Sequence, residues 1–209
     1  MKYAGMPSFM WMIFSKSFRT RLINDLGYDE SRAYSITKNA KNKYKEIITK
    51  LPSFEKGDIF LSNIVNASMF ISFLSCMDRR PDVEEATEFY RNSMSTPAMK
   101  WFCRKGGKVK FSDKDIAKMK RTAALKAADR NPYSWSMDYL PYADNSGYEA
   151  RFYKCGICTL MKEYGFFDLT PAMCRLDYTM SEFGGTSTFV REYTLAGGGP
   201  YCDCGYIRK

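Results

Sequence analysis

The first two-thirds of the chain repeats apolar side chains at helical spacing. After Pro7, which suits a first helical position, Met10, Phe14, Phe18, Leu22 and Leu26 recur every four residues until Gly27. Asp29 then predicts the cap of a second helix whose inner face is Ala33, Ile36, Ala40, Tyr44, Ile47 and Leu51, ended by Pro52. From Asp58 the pattern changes to an uncharged run over 59–77, close to membrane-spanning length. Ser62, Asn63, Asn66, Ser68, Ser72 and Ser75 make it too polar for a span, so it reads as a buried core helix. Pro81 to Glu85 places acids in the first turn of a fourth helix. Thr96-Pro97 opens a short fifth, closed by Gly106-Gly107, and Ser112 with Asp115 predicts a capping box for a sixth reaching Arg130.

Asn131-Pro132 marks a switch from period 3.6 to period two. Tyr133, Trp135, Met137 and Tyr139 alternate with polar residues, and 148–154 alternates in the same way. Two short helices over 156–164 and 171–183 are followed by strands over 187–195 and 201–208, joined by Ala196-Gly197-Gly198-Gly199-Pro200. Helices first and antiparallel strands later predict an α+β fold. The expected organisation is a single domain over 1–209: a mainly helical part, 1–131, on a cysteine-rich sheet part, 132–209, of about four strands with two inserted helices.

Composition narrows the chemistry. The 209 residues are 45% hydrophobic and contain no histidine, which excludes Ser-His-Asp and Cys-His catalysis and an imidazole proton shuttle. Proton transfer then falls to Asp, Glu, Tyr, Lys, a thiol or water. Seven cysteines without even, close spacing predict reduced thiols in a cytoplasmic protein rather than a disulfide scaffold. Residues 1–50 carry ten bases against four acids and 104–130 ten against three, yet the overall +9 sits on helix exteriors without a nucleic-acid motif. The apolar run 6–14 lacks a cleavage site, so neither nucleic acid nor a membrane is an expected partner.

Five of the seven cysteines fall between 155 and 204. Cys155-Gly-Ile-Cys158 stands where a strand gives way to a helix, a place where redox pairs acquire a low thiol pKa, but without a parallel βαβ frame around it plain packing is the better reading. Cys155, Cys158, Cys202 and Cys204 supply four thiolates for a structural zinc, but Cys-x-Cys sets its two members on one strand face rather than in a knuckle. No metal or cofactor is therefore expected. Thr170 as cap and Pro171 as first helical residue put Cys174 in an opening turn, with Asp177 three residues on along the same face. That is a thiol beside a carboxyl group, or a buried cysteine beside an exposed aspartate. Asp203 points to the opposite side of its strand from Cys202 and Cys204, and the glycine turn offers either backbone N–H groups to an anion or a flexible hairpin.

The order of these residues resembles the L-2-amino-thiazoline-4-carboxylic acid hydrolase family. The matching positions are Phe152, Cys155, Gly165, Leu169, Cys174, Asp177, Arg191, Thr194, Leu195, Gly198 or Gly199, Cys202 and Asp203, within about the last 65 residues. Cys204, where an aromatic residue is usual, and the triple glycine depart from the pattern. The resemblance implies opening of a small cyclic amidine-like ring, 2-aminothiazoline-4-carboxylate to an N-carbamoyl amino acid, and brings no catalytic assignment. From the residues, the expected mechanism is attack on the ring carbon by Cys174 or by water activated by Asp177. Asp177 or Asp203 then gives a proton to the leaving group. Arg191, Arg175 or Gly198 and Gly199 hold the substrate carboxylate, and Cys155, Cys158 and Cys202 are supporting thiols. The alternative is a non-enzymatic cysteine-rich module binding a small molecule or metal, similar to the vinyl-reductase domain.

Overall fold

The uncharged run forms the helix on which the others pack. In the computed structural model, which describes residues 2–55 and 57–209, α3 (Leu61–Leu74) buries eleven of its fourteen residues. Ser68 and Ser72 survive there because their hydroxyls donate to the carbonyls of Ile64 and Met69, at 2.8 and 2.6 Å. α1 (Met6–Asn24) and α2 (Glu30–Lys50) turn the predicted faces inward, with Phe14, Phe18, Leu22, Ile36, Tyr44 and Ile47 buried. Phe18 stacks on Phe73 at 4.7 Å and meets Phe89 edge-on.

Side-chain caps set the starts of the next three helices. α4 (Val83–Met94) has a full capping box between Asp82 and Glu85, α5 (Pro97–Gly107) is capped by Thr96, and α6 (Asp113–Ala127) by Ser112. α6 stops at Ala127, short of Arg130, because Lys126 and Asp129 turn into a buried polar cluster. Among the described residues no helix is long and apolar enough to cross a membrane.

The sheet contains β1 (Ser136–Pro141), β2 (Gly147–Lys154), β3 (Ser187–Val190) and β4 (Cys202–Arg208), all antiparallel in the order β1-β2-β4-β3. α7 (Gly156–Glu163) and α8 (Thr170–Gly184) are inserted between β2 and β3, and the architecture is α+β. Register places Met137, Ala150, Phe152, Cys202, Cys204, Tyr206 and Phe189 on the inner face, under the helices. α8 packs on α4 and α5 on one side and on β3 on the other.

Three further boundaries differ from the sequence expectation. β1 begins at Ser136, because the Asn131 side chain accepts from the Tyr133 amide and its carbonyl from the Ser134 amide, which makes a turn. β3 ends at Val190, because the Asp203 carboxylate captures the amides of Glu192 and Tyr193 that a longer strand would have used. Thr170 is not the cap of α8. A short 3-10 turn, Phe167–Leu169, leads into the helix, Leu169 takes the cap position, and the buried Thr170 hydroxyl has no hydrogen-bond partner among the described residues. Pro171 does stand in the first turn.

Candidate functional site

α8 carries the central pair. Spacing of three residues puts Cys174 and Asp177 on one helix face, towards the sheet. Arg191, just past β3, reaches back to that face. Its guanidinium donates to Asp177 Oδ2 at 2.8 Å and to the carbonyl of Cys174 at 2.8 Å, and it also bonds the Cys204 thiol. The rings of Tyr178 and Phe189 lie 5.4 and 5.2 Å from it. The Arg191 side chain is only 6% exposed while that of Asp177 is 41% exposed, so a buried guanidinium anchors a carboxylate that opens onto free space.

Around this pair the structure gathers Cys155, Cys174, Cys202 and Cys204: Cys155 and Cys202 bear on the charge of Cys174, Cys155 on that of Cys202, and Cys202 on that of Cys204. Cys158 joins through a hydrogen bond with the Cys155 thiol. All seven cysteines are free thiols. None of these thiols is activated where its titration is displaced. The bond to Cys158, and then burial, push Cys155 well up. Burial raises Cys174 to about 12 despite the opposing charge of Arg191, and it raises Cys202 and Cys204 as well. Among the described residues no three Cys, Asp or Glu side chains are grouped so as to hold a metal ion.

Burial also raises Asp177, with Arg191 pulling the other way. Burial alone would lower Arg191, but Asp177 and its other neighbours outweigh it and the guanidinium stays charged. The pair is thus a carboxylate of increased basicity held by a permanent cation.

The other sequence candidates lie outside this cluster. Arg175 pairs with Glu84 on the surface at 2.7 Å. Asp203, on the outer sheet face, accepts from Glu192 and Tyr193 at 2.9 and 2.6 Å and so fixes the chain immediately after Arg191. The amides of Gly197, Gly198 and Gly199 are spent inside their own turn, on Thr194 and Leu195, so the turn offers no free cradle to an anion.

Two cavities meet at Asp177. One, of about 410 Å³, is walled mostly by methionine and aromatic side chains such as Met10, Phe14, Met94, Met99 and Met173. The other, of about 260 Å³, is polar and lined by Cys103, Lys110, Asp115, Ser187 and Tyr206 as well as Asp177. Among the described residues only Asp177 and Met180 line both. Lys110, Cys103 and Tyr206 were missed by the sequence reading. The Gly106-Gly107 pair just before Lys110 was the one local mark, and it read as a helix stop.

Helices over one face of an antiparallel sheet, with a guanidinium-held carboxylate on the wall between two cavities, define an α+β protein with a carboxylate-centred pocket. Over residues 62–206 the chain matches the family model described as L-2-amino-thiazoline-4-carboxylic acid hydrolase, and it belongs to that family. The match begins in α3 and runs into β4, so it takes in α4 to α8 and most of the sheet, including the cavity walls contributed by α5 and α8, while α1 and α2 lie before it. No curated protein and no solved structure matches the chain.

Proposed function

We propose that the protein hydrolyses a small cyclic amidine-like ring, 2-aminothiazoline-4-carboxylate or a relative, to the N-carbamoyl amino acid, with Asp177 as general base. The observation that carries this reading is the placement of Asp177, paired with buried Arg191 at 2.8 Å yet open to a cavity on each side. Arg191 holds the carboxylate through Oδ2 in a fixed orientation, and a carboxylate so positioned beside a cavity can take a proton from a bound water. Family membership supplies the substrate class.

Water adds to the ring carbon between nitrogen and sulfur as Asp177 takes one of its protons and passes it to the ring nitrogen. The carbonyl then forms, the carbon–sulfur bond breaks, and the remaining hydroxyl proton ends on sulfur. A thiolate is a good leaving group, so the lack of histidine is no obstacle. Cys174, held as the thiol at neutral pH, has the role of supporting the Arg191 anchor through its carbonyl rather than of attacking the ring.

The test is thiol release from 2-aminothiazoline-4-carboxylate. Asp177→Asn is expected to lose about 10²–10⁴-fold in kcat, while Cys174→Ser keeps turnover within a few-fold. With H₂¹⁸O the label enters the carbamoyl oxygen. An inactive Cys174→Ser beside an active Asp177→Asn would sink the assignment. The alternative of a binding module is favoured by one observation, the methionine-walled cavity of about 410 Å³, which suits an apolar ligand. Saturable binding with no turnover on any thiazoline would support it.

A further inference from the structure

The smaller cavity contains a cation that the ring-opening chemistry has not used. Lys110 follows α5, and its ammonium lies 3.4 Å from the centre of the Tyr206 ring and 5.3 Å from that of Tyr148. It donates to the Tyr148 hydroxyl at 3.2 Å. Among the described residues no carboxylate forms an ion pair with it, and it is the one Lys or Arg side chain lining this cavity. Asp115 attracts it from a distance, but that carboxylate accepts from the Phe111 amide at 2.9 Å. Asp177, on the same cavity wall, is committed to Arg191. A half-buried ammonium with spare donors and no directly paired carboxylate is an incomplete arrangement that an incoming anion would complete.

We propose that Lys110 is the anchor for the carboxylate of a small anionic ligand bound in this cavity, holding the ligand's other end towards Asp177. The inference deepens the hydrolase reading and rests on it for the role of Asp177, but the binding it predicts does not require turnover. The volume, about 260 Å³, fits a five-membered ring with a single carboxylate. The residues first expected to hold that carboxylate are otherwise engaged: Arg191 with Asp177, Arg175 with Glu84, and the glycine amides with Thr194 and Leu195. Burial also lowers Lys110 to about 8, so an anion there should bind together with a proton above that pH. The groups that face Lys110 are Asp115, Asp177, Cys103, Tyr148 and Tyr206, with Arg208 beyond the Phe111 ring.

The experiment is calorimetric titration of the full chain with L-thiazolidine-4-carboxylate, a saturated ring with the same carboxylate, and with thiazolidine, which lacks it. The wild type is expected to bind the first at least tenfold more tightly than the second. It should take up protons on binding at pH 8.5, seen as a dependence on buffer ionisation enthalpy. Lys110→Gln should abolish the preference. Lys110→Arg should retain it without the proton uptake, which keeps the test decisive if the glutamine variant fails to fold. Equal binding of the two rings by the wild type, no binding of either, or an unchanged preference in Lys110→Gln overturns the proposal. Carboxylate-dependent binding in a protein that opens no thiazoline would instead remove the hydrolase reading and leave this subsite standing.

Discussion

Cys174 and Asp177 are neighbours with opposite prospects. The sequence showed that they share a helix face, and it left open which of them is the reacting group. What it could not show is that Cys174 is half-buried beside Cys155, Cys202 and Arg191 and lines neither cavity, whereas Asp177 opens to both. Helix position alone favours a thiolate at Cys174, and burial overrides it. With a pKa of about 12, Cys174 should react with iodoacetamide at pH 7 on the order of a thousandfold more slowly than a free cysteine of pKa about 8.5. Peptide mass spectrometry of a timed alkylation measures this, and labelling as fast as free cysteine would restore Cys174 as a nucleophile. Lys110 was illegible for a different reason. Nothing near it in the chain is unusual, and its environment is made by Tyr148 and Tyr206 from two strands far along the sequence.

Helices were easier to read than strands, because their signals are local. Asp29 and Ser112 cap the helices they were expected to cap, and Asp82 and Thr96, read only as marks of a helix start, prove to be caps as well, all four through bonds to amides three residues on. Strand ends depend on competitors elsewhere, as Asp203 shows by drawing the amides of Glu192 and Tyr193 out of β3. The Gly106-Gly107 pair is a further case, since one residue is a local feature and the other a contact. A Cβ on Gly107 would stand 2.3 Å from the Gly184 carbonyl oxygen, while one on Gly106 would meet nothing within 4 Å. α5 and α8 therefore approach each other through facing glycines. Gly107→Ala should lose about 1–3 kcal/mol in urea unfolding as the helices are forced apart, whereas Gly106→Ala should gain about 0.5–1 kcal/mol from better helix propensity. Equal effects would mean that the helix crossing is not set by this contact.

At the level of the whole molecule, the two layers are pinned by one buried lysine. Lys126, at the end of α6, donates to Asp58 before α3, to Asp129 at 2.6 Å and to Ser134 before β1 at 2.7 Å. The Lys126 and Asp58 side chains are 7% and 2% exposed, so Lys126→Met leaves a buried carboxylate unpaired and should cost about 3–5 kcal/mol. Burial alone would raise Asp129, but the bonds from Lys126, Ser134 and the Asn131 amide overcome it and hold this carboxyl down to about 2. A depressed folded-state pKa gives stability that is full above the unfolded value, about 4, and is lost as the pH falls towards 2. Urea midpoints of the wild type should fall across that window, and those of Asp129→Asn less steeply. None of this was visible in the sequence, where Lys126 read as one more basic residue on a solvated helix. The strand order has a consequence for how the protein is made. β4 is fourth in the chain but sits in the middle of the sheet, between β2 and β3. During synthesis the helices, β1, β2 and β3 emerge first and wait with the β4-side edge of β2 unpaired, so the sheet closes only after Cys202–Arg208 has left the ribosome. A message cut short before Cys202 would therefore remove the centre of the sheet rather than its rim, and yield a chain with a long unpaired strand edge for quality-control proteases to find.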